Sequence, residues 1–167
     1  KKGLRVLILP QKPQDWQALG FDVQDEMSRE MWAYDTSRRA PFAALGADTL
    51  RYWRGTPKYG DRPTGSVMVQ KGMRGPRGYR THTIAGLCLR TPDRVGYLPL
   101  IAGEFDMNYC GLLRFSSGDG GVWYCTLDFD DRIGTCPAAT ATARAVFGDF
   151  LNGKTPKPSD ATVAETL

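Results

Sequence analysis

The chain has 167 residues, enough for one domain with a buried core. Its 41% apolar and 24% charged content is that of an ordinary globular protein, and no apolar run approaches the roughly 20 residues that span a bilayer, so no membrane partner is expected. The formal charge of +4 is by itself too small to imply nucleic acid.

"LRVLIL", residues 4–9, is a continuous apolar run between Gly3 and Pro10. It predicts a strand buried on both faces, as in a parallel sheet covered by helices. The stretch is too short for a secretory signal and lacks a small-residue cleavage site. "PQDWQALGF" predicts a short helix closing at Gly20, where the absence of a Cβ suits a helix end. "DEMSREMWAYD" fits helix or strand equally. Residues 41–55 read as a turn-rich segment anchored by Leu45 and Leu50, with Tyr52 and Trp53 as an aromatic pair.

Residues 54–80 carry Arg54, Lys58, Arg62, Lys71, Arg74, Arg77 and Arg80 against Asp61 alone. They read as a long loop with one strand, "SVMVQ", and loops of that length are commonly functional. Its three Arg-Gly steps, near Tyr59 and Tyr79, loosely suit single-stranded nucleic acid; a solvated interdomain or subunit-contact loop is the favoured reading. "TIAGLCLR" and "YLPLIAGEF" predict two strands around the turn "TPDRVG". "GLLRFSSGDGGVWYCTLDF" predicts a β-hairpin, because two β-rich runs flank glycines that permit a tight reversal. In residues 137–151, Pro137 suits a first helical position, and Ala143, Val146, Phe147, Phe150 and Leu151 repeat at helical spacing. Residues 152–167 lose periodicity and read as a linker or tail.

The acidic stretch from residue 103 to 131 holds the candidate chemistry. Glycosidases need two carboxylates about 5–5.5 Å apart for retention or about 6.5–9.5 Å for inversion. On an extended strand Glu104 and Asp106 share a face at roughly 7 Å. The simpler reading is that Asp106 ends a strand and bonds backbone or an arginine. Asp128, Asp130 and Asp131 follow a strand end, where α/β sheets place ligand groups and where oxygen ligands suit a cation; a solvated turn is the plainer alternative. Cys88 and Cys125 sit in apolar runs and read as buried thiols. No cysteine spacing makes a metal set, and His82 alone completes neither a zinc site nor a nucleophilic pair. "SSGDGG" joins two strands and opens no helix, so it is no phosphate cradle. No cofactor or metal is indicated.

Several of these pieces recur in a fixed order. Pro10-Gln11 follows the first strand, then come Leu19-Gly20-Phe21 and a segment holding Asp48, Leu50, Trp53, Arg54 and Gly55. Gly103, Phe105, Asp106 and Met107 precede the hairpin, with Leu112, Leu113, Gly120, Val122, Cys125, Leu127 and Asp128 within it and Pro137 after it. The set resembles the glutamine-amidotransferase-like domain of large bacterial glycoside hydrolases, including β-galactosidase-like enzymes, over residues 4–151. The resemblance implies a flavodoxin-like α/β fold, the three-layer sandwich of class I amidotransferases, incomplete at its N-terminus because that family has further strands and helices upstream of Lys1. Amidotransferases carry a nucleophilic cysteine after such a first strand, whereas this chain has Pro10-Gln11 there. The resemblance therefore implies a non-catalytic accessory domain over residues 1–151. Its partners would be the catalytic and other domains of a parent hydrolase, with carbohydrate or a second copy as further partners. Trp53, Arg54, Asp106, Tyr109 and Asp128 are the ligand or interface candidates. The alternative is a free-standing module that binds nucleic acid or another polyanion through the basic loop.

Overall fold

The computed structural model describes residues 3–24, 31–33, 42, 45–51, 53, 84–103, 107–130 and 132–152. The elements run β1 (Arg5–Ile8), α1 (Pro13–Ala18), β2 (Val23–Gln24), β3 (Met31–Ala33), a 3₁₀ turn (Ala47–Leu50), β4 (Cys88–Arg90), β5 (Tyr97–Gly103), β6 (Tyr109–Ser117), β7 (Gly120–Cys125) and α2 (Pro137–Asn152). They form a mixed α/β fold around one seven-stranded open sheet.

The expected hairpin lies at the centre of this sheet. β6 and β7 pair antiparallel from Leu112↔Cys125 to Ser117↔Gly120, which leaves Gly118 and Asp119 as the loop. Gly118 has φ 55°, and glycine at the first loop position is what a type II′ reversal needs. β5 pairs with β6 from Phe115 to Tyr109. A strand has only two edges, so β7 and β4 share the other side of β6, with β4 opposite Tyr109 and Cys110. On that same side β1 lies outside β7 and parallel to it, and β2 lies outside β4 and antiparallel to it; on the opposite side β3 lies outside β5.

β1 departs from expectation in two respects, the first being that the sheet around it is not a parallel one: β1–β7 is parallel and the other five pairings of the described strands are antiparallel. Second, among the described strands β1 lies at the edge, and it is not buried on both faces: Val6 is 36% exposed, and Leu4 and Leu9 more so. A continuous apolar run reports what a strand can bury, and the topology decides which neighbours it has. The segment "TIAGLCLR" is likewise shorter as a strand, because Ala85 makes only an isolated bridge to Leu127 before β4 begins.

The sheet is covered on both faces. Leu98, Leu100, Leu112, Trp123 and Cys125 face α2 and the segment holding Phe42, Leu50 and Trp53. Leu113, Cys110, Ala102 and Leu89 face Trp16 and Phe21 around α1. Cys110 and Leu112 would share a face in regular alternation, but they lie on opposite faces. The register shifts between Ile101↔Leu112 and Ala102↔Cys110, so Gly111 is the extra residue of a bulge. A Cβ on Gly111 would stand 2.6 Å from Leu127 Cδ2 and 2.8 Å from Met31 Cε. Both neighbours are buried core side chains that would have to shift to admit it. Gly111→Ala should therefore destabilise the fold by about 1–3 kcal/mol, the usual range for overpacking, read as a lower urea midpoint at unchanged slope.

α1 is as predicted: Pro13 starts it, and Gly20 closes it at φ 88°. α2 spans the predicted helix and adds Asn152. Its inward face is slightly rotated from the expected one. Ala139, Thr142, Ala143, Val146 and Asp149 are buried, while Leu151 is exposed. Small residues let the helix lie close to the sheet, and its end is held by Arg5, whose Nη1 donates to Phe150 O and Leu151 O at 3.1 Å each. A cation at the last carbonyls also complements the helix dipole.

Candidate functional site

The carboxyl end of β7 gathers two of the sequence candidates. After Cys125 the chain bridges Ala85 through Leu127, and Asp128 N–H donates to Ile84 O at 2.9 Å. Asp128 is fully buried, not at a solvated turn. The chain then folds on itself, with Arg132 N–H donating to Phe129 O at 3.0 Å and Cys136 N–H to Arg132 O at 2.8 Å. This brings the Arg132 side chain back into the interior, 2% exposed. Burial pushes the Arg132 guanidinium below its ordinary value; the charge of Asp128, with Cys136 behind it, works the other way. The attraction between two opposite charges buried together offsets part of the cost of desolvating them.

Trp53 lies against the same turn. Its ring stacks on Phe129 at 5.4 Å between centroids and 28° between planes, and its Nε1 donates to Thr49 O at 2.8 Å. The side chain is fully buried, so it has no face to offer a sugar or a partner. Tyr109 is half-buried at the start of β6, opposite Arg90 and Gly103, and packs on the α2-side core. Asp119 and Asp130 are exposed. Arg54, Asp106, Lys58, Arg62, Lys71, Arg74, Arg77 and Arg80 lie outside the described residues, as do Glu104, Asp131, His82 and the "SVMVQ" segment.

A second charged cluster joins residues that lie far apart in the sequence. Arg114 on β6, Trp123 on β7 and Asp149 on α2 meet between sheet and helix. Trp123 Nε1 donates to Asp149 Oδ2 at 2.8 Å, and Arg114 Nη1 stands 3.6 Å from the same oxygen. The guanidinium carbon lies 5.6 Å from the centre of the Trp123 ring, a cation–π geometry. The signal was present: Arg114 alternates with Leu112 and Ser116 on an inward face, and Asp149 sits three residues after the buried Val146. A charge at the inward register of two neighbouring elements marks a pair.

These groups hold structure and are poorly placed for chemistry. A general acid or base must reach a substrate proton, and Asp128, Asp149, Arg114 and Arg132 are each at most 4% exposed. All four cysteines are buried free thiols. Burial raises Cys125 to about 12 and Cys110 to about 11; a hydrogen bond with Thr91 Oγ1 at 2.8 Å partly opposes the latter. Both stay protonated at neutral pH and are poor nucleophiles. A thiol raised on folding adds stability below its unfolded value and loses it as pH rises through the folded one. Stability should therefore fall from about pH 9 upward, the ordinary thiol value being 9.0. Urea titrations at stepped pH test this, and a thiol reagent at pH 8 should label Cys110 and Cys125 only after unfolding.

Among the described residues no group of three or more His, Cys, Asp or Glu is placed to hold a metal ion. No helix among them is long and apolar enough to cross a membrane. Comparison of the chain with protein-family models, with curated proteins and with solved structures gives no match.

Proposed function

We propose that this chain is a non-catalytic, amidotransferase-like accessory domain of a carbohydrate-active glycoside hydrolase, supporting its catalytic domain, sugar cleft or subunit contacts. The observation that carries the reading is the burial of Trp53 and Asp128, two residues on which the resemblance rests, in one core beside Phe129 and Arg132. Residues used for packing are what a domain retains when its chemistry lies elsewhere. The flavodoxin-like form of the fold, with further strands upstream, belongs to the same reading. What supports it is the parallel pair β1–β7 and the helices on both faces of the sheet; against it, the other five pairings are antiparallel, where a flavodoxin-like sheet is mostly parallel.

The test is the intact mass of this polypeptide in its native source, with any protein that co-purifies. A continuous species much larger than 18.5 kDa, with glycosidase activity outside this stretch, is the expected result. A native chain beginning at Lys1 and travelling alone would overturn the proposal. The isolated chain should not turn over aryl glycosides.

The seven basic residues from Arg54 to Arg80 support the second reading, a polyanion-binding module. Binding through phosphates weakens steeply with added salt, whereas apolar docking to a hydrolase weakens little, so a salt titration separates the two.

A further inference from the structure

We propose that the outer edge of β1 pairs antiparallel with β1 of a second copy of this chain, about a two-fold axis at Val6. The proposal concerns the 167-residue chain itself; it does not rest on the hydrolase reading, whose strands upstream of Lys1 would compete for this same edge.

The backbone sets the register. Gly121 N–H donates to Leu4 O at 3.0 Å, so in the parallel β1–β7 register Leu4, Val6 and Ile8 turn their backbone groups toward β7. Arg5 and Leu7 turn theirs outward, where no described strand lies. The next outward carbonyl, Leu9 O, accepts from Gln11 Nε2 at 3.0 Å, which closes the edge at that point. A two-fold axis at Val6 sets Arg5 of each copy opposite Leu7 of the other. All four outward N–H and C=O groups on each copy are then used, and the interface is self-complementary. Val6 meets its symmetry mate as a non-hydrogen-bonded pair, the type with side chains closest, about 4.5 Å between Cα atoms. Leu4, 79% exposed, comes opposite Ile8 on the same face.

Charge permits this approach. Exposed edge strands ordinarily resist pairing with an outward charge, a proline or a bulge. β1 has no proline or bulge, and its one charge, Arg5, is turned into the end of α2. No like charges therefore meet at the axis. The other terminal strands, β2 and β3, have only two and three residues and offer a much smaller edge.

The test combines light scattering on the whole chain over a concentration series with amide exchange at Arg5 and Leu7. The expected result is twice the 18.5 kDa chain mass, with slow exchange at both amides that becomes fast on dilution. Val6→Lys sets two ammonium groups against each other at the axis and should give a monomer with an unchanged circular dichroism spectrum. Should that variant fail to fold, Leu7→Pro removes an outward N–H that β7 does not use and that the pairing needs, and should also give a monomer. A monomer at every concentration overturns the proposal. So does a dimer unaffected by these substitutions, or a monomer whose Arg5 and Leu7 amides are already protected.

Discussion

Asp149→Ala should cost about 3–5 kcal/mol of folding stability, the range for removing one partner of a buried ion pair. The carboxylate faces Arg114 at 3.6 Å and accepts from Trp123 Nε1 at 2.8 Å. Removing it leaves a guanidinium that is 1% exposed beside an indole N–H without its acceptor. Asp149→Asn should fall between wild type and alanine, because the amide oxygen still accepts from Trp123 but carries no charge. The informative variant is the pair Arg114→Met with Asp149→Leu. Replacing both charges with apolar groups of similar size is commonly neutral or stabilising, so the double variant should be more stable than Asp149→Ala alone. Urea denaturation followed by circular dichroism measures all three. A loss under about 1 kcal/mol for Asp149→Ala, the scale of a surface pair, would mean that water reaches the cluster.

The elements read most easily from sequence were those fixed by local patterns. The hairpin was legible because two alternating runs flank glycines, and α2 because its period is helical and Pro137 opens it. α1 was legible from Pro13 and Gly20. The bulge at Gly111 was not, since one inserted residue leaves no mark on composition while it reverses every side chain beyond it. The edge position of β1 was hidden for another reason: strand order depends on contacts more than a hundred residues apart in sequence, such as Val6 with Val122. The candidate site divides in the same way. Asp128 reads in the sequence as an acidic residue after a strand, whereas its charge partner Arg132 returns to it through the turn from Phe129 to Cys136. Arg114 and Asp149 each stand at an inward register of their own element, but nothing in the sequence says that those two registers meet. Only the packing of α2 on the sheet brings them together.

Trp53→Ala should destabilise the chain by about 3–5 kcal/mol, the usual cost of truncating a buried aromatic. The indole fills the space between the 3₁₀ turn and Phe129, and its N–H satisfies Thr49 O. Trp53→Phe separates the two contributions. It keeps most of the stack and gives up the hydrogen bond, so it should cost about 1–3 kcal/mol for a carbonyl left without its donor. Circular dichroism is the proper readout, since the chain has 4 tryptophans whose fluorescence would overlap. The pair of variants also decides what Trp53 is for. A tryptophan that stacks on a sugar from the surface can be truncated with little loss of stability and a large loss of binding. One enclosed between Thr49 and Phe129 loses stability first, and any binding defect follows from unfolding. Equal urea midpoints for wild type and Trp53→Ala would return this residue to the list of ligand groups. They would also remove the observation on which the accessory-domain reading rests.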